Sequence, residues 1–404
     1  MVSNVHAAAA APADTGTFTF DQALERAVRR SESARSSRAG IASATESARA
    51  AGQLPDPMLR MGIDNLPVTG PDRFSTTRDF QTMKRIGISQ EWLSDDKRAA
   101  RTAAAQAAVG REEAQLKASL ADARLQAALS YLDAFYAAEA LKLTLLMEHH
   151  AHEEFEVARA RLASATGSGQ EVLALSSAWS MTEDDSADVR QQQGVANVAL
   201  QRWVGEGLSG LVAVPDIVGL SEAAFVDGHP GVLGKEQEVR IARLEAALTA
   251  TNRSPNWTFE LSYGQRSGYS DMASMGVSIP LPVAPGARQD RDTAAKLALV
   301  EKAQADLAEA RRTARAEYGA LVIASRVLDQ RIDLYRDGVV LHAQQRVEAA
   351  VAGYRSNQGT LLTLFEARRV EVEAQRKLLT LKRDLAKARA QLAYRAWSAP
   401  RDAQ

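Results

Sequence analysis

The chain repeats itself. Ile86-Gly87-Ile88-Ser89 returns as Met275-Gly276-Val277-Ser278, 189 positions later, and Gly167-Ser168 returns as Gly359-Thr360, 192 positions later. Self-similarity at this distance marks a duplicated domain; solenoids repeat on a scale of roughly 20–50 residues. Each copy consists of a helix, a pair of short strands and a very long helical hairpin.

Proline placement sets the scale of those hairpins. All 12 prolines fall outside two spans, 72–214 and 286–399. Proline in a helix interior removes a hydrogen bond and clashes with the preceding turn, at a cost of ~3 kcal/mol or more. The two spans therefore permit unusually long helices. From Ser94 to Ala163 there are 70 residues with 21 alanines and a single glycine, Gly110. If helical throughout, that segment is roughly 105 Å long. The second copy, from about Arg288 to Tyr354, is nearly as long. Helices with small apolar residues on two faces need neighbours on both sides. A two- or three-helix coiled coil and a ring of helices fit this pattern equally well.

Each long helix ends in a polar, glycine-containing turn, Ala165-Thr166-Gly167-Ser168-Gly169 and Ser356-Asn357-Gln358-Gly359-Thr360. Glycine is expected to supply the left-handed conformation that closes the helix. Ser168 and Thr360 are expected to cap the returning helices, about 170–204 and 361–397. Shorter helices at about 19–53 and 232–253 are expected to make up the missing length.

Composition excludes several classes. With 49 basic and 50 acidic residues the chain lacks the cationic excess of a nucleic-acid binder. It has no cysteine, which rules out disulfides, thiolate metal sites and a cysteine nucleophile. No apolar run reaches the length of a transmembrane helix. Residues 1–18 read as a processed, disordered N-terminal remnant. Within it Val5-His6-Ala7 resembles the end of a signal-peptide cleavage site, although the apolar core of such a peptide is missing.

Four short segments alternate with period two. Leu59, Met61 and Ile63 oppose Arg60, Gly62 and Asp64, while Ile86, Ile88 and Trp92 oppose Arg85, Gly87, Ser89 and Glu91. In the second copy Trp257, Phe259, Leu261 and Tyr263 oppose Thr258, Glu260, Ser262 and Gly264. Met275, Val277, Ile279 and Leu281 oppose Ser274, Gly276 and Ser278. This is the pattern of a sheet with one apolar and one wet face, in lengths that suit tilted strands crossing a bilayer. A soluble hairpin packed on helices also fits the periodicity. In the membrane case Trp92 and Trp257 sit at the interface as girdle aromatics. Four strands are too few to close a useful barrel, whereas three chains would supply twelve.

This layout, with its Gly87-Ile88-Ser89-Gln90-Glu91 strand and its Tyr354-Arg355-Ser356-Asn357-Gln358-Gly359-Thr360-Leu361-Leu362 tip, resembles the TolC-like outer-membrane factors of tripartite efflux systems. Asp64-Asn65-Leu66-Pro67-Val68, Arg78-Asp79-Phe80 and Arg85-Ile86-Gly87 look most like the heavy-metal branch, with its CusC- and CzcC-type components. The resemblance covers about residues 19–397. It implies a mainly α protein with membrane β-strands, a strand pair plus long helical hairpin duplicated and trimerising into a 12-stranded β-barrel and a 12-helix α-barrel. It further implies a bacterial outer-membrane location with a long periplasmic extension. The partners implied are a periplasmic adaptor and, through it, a proton-driven inner-membrane pump. The division expected is a first repeat over 19–204 with its tip near 164–170, an equatorial linker over 205–231, a second repeat over 232–397 with its tip near 355–361, and a tail over 398–404.

The function implied is a passive exit duct, opened by adaptor docking and exporting heavy-metal cations. Drugs or polypeptides are the alternative cargo, and a soluble periplasmic coiled-coil scaffold is a more remote alternative. Gly167, Ser168, Gly359 and Thr360 are the expected adaptor contacts. Family tips commonly carry two acidic positions on the inner helix; here Glu366 matches the second, while Thr363 replaces the first. Glu366 is thus the candidate pore gate, its bland alternative being a surface pair with Arg368 or Arg369. Glu171 follows the first tip, as an adaptor contact or a helix N-terminal charge. Within Glu148-His149-His150-Ala151-His152-Glu153-Glu154, the pairs His149/His152 and Glu148/His152 share a helix face, a weak metal site lacking the three or four ligands zinc usually takes. No phosphate loop, dinucleotide fingerprint, zinc-protease helix or serine elbow is present, so neither enzyme activity nor a cofactor is expected.

Overall fold

A computed structural model describes residues 18–206 and 210–398. The remnant expected at 1–18, apart from Phe18, and the tail from 399 onward lie outside the described residues, as do 207–209 of the linker. Phe18 itself is ordered and buried, and it forms a parallel bridge with Leu211.

Helices account for most of the fold. In chain order they are α1 (Phe20–Arg30), α2 (Glu32–Ala51), α3 (Asp95–Ala163), α4 (Gly169–Val204), α5 (Glu222–Gly228), α6 (Pro230–Ala250), α7 (Gln289–Tyr335), α8 (Leu341–Arg355) and α9 (Leu361–Tyr394). Four strands, β1 (Met58–Asp64), β2 (Met83–Trp92), β3 (Trp257–Gln265) and β4 (Met272–Ser278), form one antiparallel sheet in sequence order. Among the described residues, no helix is long and apolar enough to cross a membrane. The chain divides into two compact units, each drawing on both sequence copies. Among the described residues, the first comprises 18–35, 117–206, 210–230 and 311–398; the second comprises 36–116 and 231–310.

In the first unit, α1 shows how the sequence builds the core. Thr19 and Gln22 form a reciprocal capping box, which satisfies two otherwise free N–H groups. Phe20, Ala23, Leu24 and Ala27 then fall on one stripe at helical spacing and are all buried. They meet Ala127, Ala128, Tyr131 and Leu132 of α3, Leu200 and Val204 of α4, and Ala390 and Ala393 of α9. Tyr131 is fully buried; its hydroxyl donates to the Phe18 carbonyl at 2.8 Å and accepts from the Val212 N–H at 3.0 Å. That one side chain ties the linker to the helices, because buried backbone groups need partners. Farther along α9, Leu378, Leu381 and Leu385 pack on Ile332, Val340 and Ala343. Their three-and-four spacing is that of a coiled-coil seam.

The second-copy helix expected over 288–354 is not one regular rod. It changes to a π turn over Arg336–Val340 between α7 and α8, whereas α3 runs unbroken for 69 residues. The second copy is three residues longer between strand and tip. The added length lies in the connection 279–288, because Gln289–Arg355 spans 67 residues against 69 in α3; the π turn interrupts the regular ladder without ending the helix.

In the second unit, the register aligns the two faces of the sheet across all four strands. Leu59, Ile88, Leu261 and Met275 lie side by side, as do Met61, Ile86, Tyr263 and Ala273. One residue along, Arg60, Gly87, Ser262 and Ser274 form the opposite face. Strand β4 stops at Ser278, so Ile279 and Leu281 lie beyond it; Pro280 and Pro282 follow, and proline cannot donate to a ladder.

Candidate channel sites: two hairpin tips and an apolar sheet face

The two tips, both within the first unit, close by the same hydrogen bonds. At the first, the Ala165 N–H donates to the Leu162 carbonyl at 3.0 Å and the Thr166 N–H to the Arg161 carbonyl at 2.9 Å. At the second, the Asn357 N–H reaches the Tyr354 carbonyl at 3.1 Å and the Gln358 N–H the Gly353 carbonyl at 2.9 Å. This is the Schellman pattern. The left-handed residue is Ala165 in one and Asn357 in the other, each at φ 60°, and not the glycine expected from sequence. Gly167 and Gly359 serve a different need. A Cβ on Gly167 would sit 3.0 Å from the Arg161 Cβ and the Leu162 nitrogen, and one on Gly359 would sit 3.3 Å from Gly353 and Tyr354 backbone atoms. The chain doubles back too closely for a side chain at either position.

Ser168 accepts from the Glu171 N–H at 3.1 Å and Thr360 from the Thr363 N–H at 3.2 Å. Both are N-caps, as read from the sequence. Glu171 does more than face a helix dipole, since its carboxylate accepts from the Leu361 N–H of the other tip at 3.3 Å. The two tips are therefore stitched side by side. Around them Met147, Ala151 and Ala158 of α3, Leu175 and Ala178 of α4, and Leu361 and Phe365 of α9 form a local core.

Glu366 is exposed on α9. Neither surface partner considered for it is engaged with it. Arg369 pairs with Glu373 at 3.5 Å and Arg368 with Glu154 at 2.9 Å. The Glu154–Arg368 pair was not foreseen and is the most enclosed ion pair near the tips. The Glu154 side chain is only 4 % exposed, and its Oε2 has no hydrogen-bond partner. Burial pushes its carboxyl up to about 7, against the smaller opposing pull of Arg368.

The histidine cluster does not converge. His149 and His150 both lean on Glu153, at 3.2 and 3.3 Å. The His152 ring packs against Trp179 with centroids 4.7 Å apart, and Glu148 pairs with Arg190 at 3.4 Å. His149, His152 and Glu148 thus have three separate partners, and among the described residues no set of three metal-ligating side chains comes together.

The sheet is the second candidate site. Met61 is 74 % exposed, Met275 87 %, Leu59 63 %, and Ile88 and Leu261 about half. This exposed face is continuous, apolar and uncovered in one copy of the chain. Trp92 and Trp257 are register partners at one end of it, each about half exposed. At the other end Phe80 and Tyr269 meet with centroids 6.1 Å apart. The opposite face carries paired charges, Arg60 with Glu260 at 3.7 Å and Arg85 with Asp64. Strands β1 and β4 each leave one edge without a partner. An exposed apolar face with open edges is a liability for a single chain in water.

No protein-family model and no curated protein sequence matches the chain. Solved structures do. A membrane protein from Pseudomonas aeruginosa is 16 % identical with a TM-score of 0.78, covering 94 % of this chain and 90 % of that one. CusC, in a study of folding and transmembrane channel formation, is 15 % identical at a TM-score of 0.75, covering 93 % and 92 %. The MtrE outer-membrane channel of Neisseria gonorrhoeae in its open state is 15 % identical at 0.76, covering 94 % and 88 %. The fold is that of the TolC-like outer-membrane channels. At such identities the likeness is one of fold, here a mainly helical architecture with a small antiparallel sheet.

Proposed function

We propose that the chain is an outer-membrane channel, a homotrimer in which three four-stranded sheets close one twelve-stranded barrel and the helices line a periplasmic conduit. The observation that carries this reading is the sheet. It has an apolar face aligned across four strands, an ion-paired wet face and two open edges. Closing the edges of one copy on the next satisfies every strand, which is the condition for β-structure in lipid. The wet face then lines a water-filled bore. Trp92 and Trp257 mark one membrane interface.

On this reading the tips are the periplasmic end. Gly167, Ser168, Gly359 and Thr360 form the two turns that a periplasmic adaptor would contact, and an inner-membrane pump would act through that adaptor. Glu366, exposed and without an ion pair among the described residues, supplies one carboxylate per chain to a cation-attracting ring at the pore. Transport is passive, and adaptor binding favours the open state only to the extent that it binds that state more tightly. Heavy-metal cations are the proposed cargo, on the strength of the sequence resemblance.

Introduced cysteines test the barrel, because the chain has none of its own. Pairs scanned along the β1 and β4 edges, beginning with Met61→Cys with Ala273→Cys, should give disulfide-linked trimers from detergent. If no pair in the scan yields more than monomer, edge closure is wrong.

A further inference from the structure

The loops 65–82 and 266–271 join the strands at the end of the sheet away from the tryptophans. Besides Arg73, whose guanidinium lies 5.1 Å from the Phe74 ring centroid, three cations stand at this rim. Lys84 stands between Ile63 and Gln265 in register, so it occupies the last outward position of the apolar face itself. The Arg266 guanidinium lies 5.8 Å from the Tyr269 ring centroid and gives its N–H groups to the Ser270 carbonyl at 2.9 and 3.1 Å. Tyr269 meets Phe80, and Arg78 is two residues from Phe80.

Among the described residues, none of Arg78, Lys84 and Arg266 has a carboxylate partner, in contrast to Arg60 and Arg85 on the wet face of the same sheet. Of the loop acids Asp72, Asp79 and Asp271, the last two are engaged by other donors. Asp79 accepts the Gln81 N–H at 2.7 Å, and Asp271 accepts the Arg266 backbone N–H at 3.2 Å together with the Tyr263 hydroxyl. Phe80 and Tyr269 are each more than half exposed. Aromatic rings with free cations beside them, flush with an apolar face, match the chemistry of a bilayer surface. From Lys84 to Trp92 the strand runs about 27 Å along its axis, which a barrel-strand tilt of roughly 35–45° reduces to about 19–22 Å of height, beside an apolar band of about 25 Å in barrel proteins.

Resting on the membrane-channel reading above, we infer that Arg78, Lys84 and Arg266 form a collar that holds the phosphate of anionic lipid headgroups at this rim. The site is open and continuous with the apolar face, which suits a phosphate presented by a lipid at the membrane surface. A solvated free phosphate has nothing there to enclose it. The attraction is electrostatic, so it weakens as salt rises.

The test uses the full chain in phosphatidylcholine nanodiscs containing a minor fraction of phosphatidylglycerol, with lipids retained after delipidation counted by native mass spectrometry. The wild type should retain phosphatidylglycerol in clear preference. A variant carrying Arg78→Gln, Lys84→Gln and Arg266→Gln should still insert but lose the preference, by about fivefold per cation removed. Equal retention of both lipids by an inserted wild type overturns the collar and leaves the channel reading intact. A preference unchanged in the inserted triple variant overturns it too. If the inserted wild type binds inorganic phosphate in phosphatidylcholine alone yet shows no preference for phosphatidylglycerol, the ligand is a free anion and the inference fails. Failure to insert into any bilayer removes the membrane reading and the collar with it.

Discussion

Glu154 offers the sharpest test of the tip core. Its carboxyl is raised from an ordinary 4.5 to about 7, chiefly by burial, with neighbouring Glu153 adding to the shift and Arg368 opposing it. A folded-state value above the unfolded one means that the folded chain binds more protons between these two pH values. Stability from this group is therefore full below about pH 4.5 and declines as pH rises toward 7. The difference of about 2.5 units amounts to about 3 kcal/mol at 1.36 kcal/mol per unit. The side chain is nearly inaccessible to water, so solvent screening removes little of this. Amide exchange in residues 361–372, corrected for intrinsic pH dependence, reads it locally. Wild type should lose up to about a hundredfold in protection from pH 4.5 to 8. Glu154→Gln, an isosteric stand-in for the protonated acid, should stay flat and match the acidic wild type. If the ion pair with Arg368 dominated instead, protection would rise with pH, and that result refutes the reasoning.

Three further outcomes follow from the geometry. Ala165→Gly should raise the melting temperature, because a left-handed alanine costs about 1 kcal/mol that glycine does not; a neutral or lower value would show that Ala165 is not left-handed in solution. Glu171→Ala should cost about 1 kcal/mol by uncapping Leu361, and it should speed exchange of that amide specifically. Tyr131→Phe should cost about 1 kcal/mol by removing the hydroxyl that serves Phe18 and Val212 and leaving their own long N–H to carbonyl bond of 3.4 Å, and denaturant midpoints will show it.

The sequence made the large features readable because they rest on strong, periodic signals. Long proline-free alanine-rich spans became helices, and the alternation around Leu59, Ile88, Leu261 and Met275 became one face of a sheet. The tips were legible as turns and caps, but their left-handed residues were not. Two Schellman hydrogen bonds at Ala165 outweigh a small backbone penalty, so glycine was not required there, while Gly167 answers a close approach that only three dimensions reveal. Glu154 lies at the end of the Glu148–Glu154 cluster, whose other acids and histidines mask a buried position. The signal was present nonetheless, since Met147, Ala151, Glu154 and Ala158 share one heptad stripe. A carboxylate in an apolar seam is the mark of a buried pair. Phe80 and Tyr269 lie far apart in sequence, and only the register of β2 and β3 brings their loops together.

Single-channel conductance of the detergent-extracted protein in a planar bilayer, with its mass in detergent determined alongside, tests the central claim most directly. A trimer with small, cation-selective conductance that rises in Glu366→Ala is the predicted result. A monomer that stays soluble without detergent and passes no current would contradict the channel account.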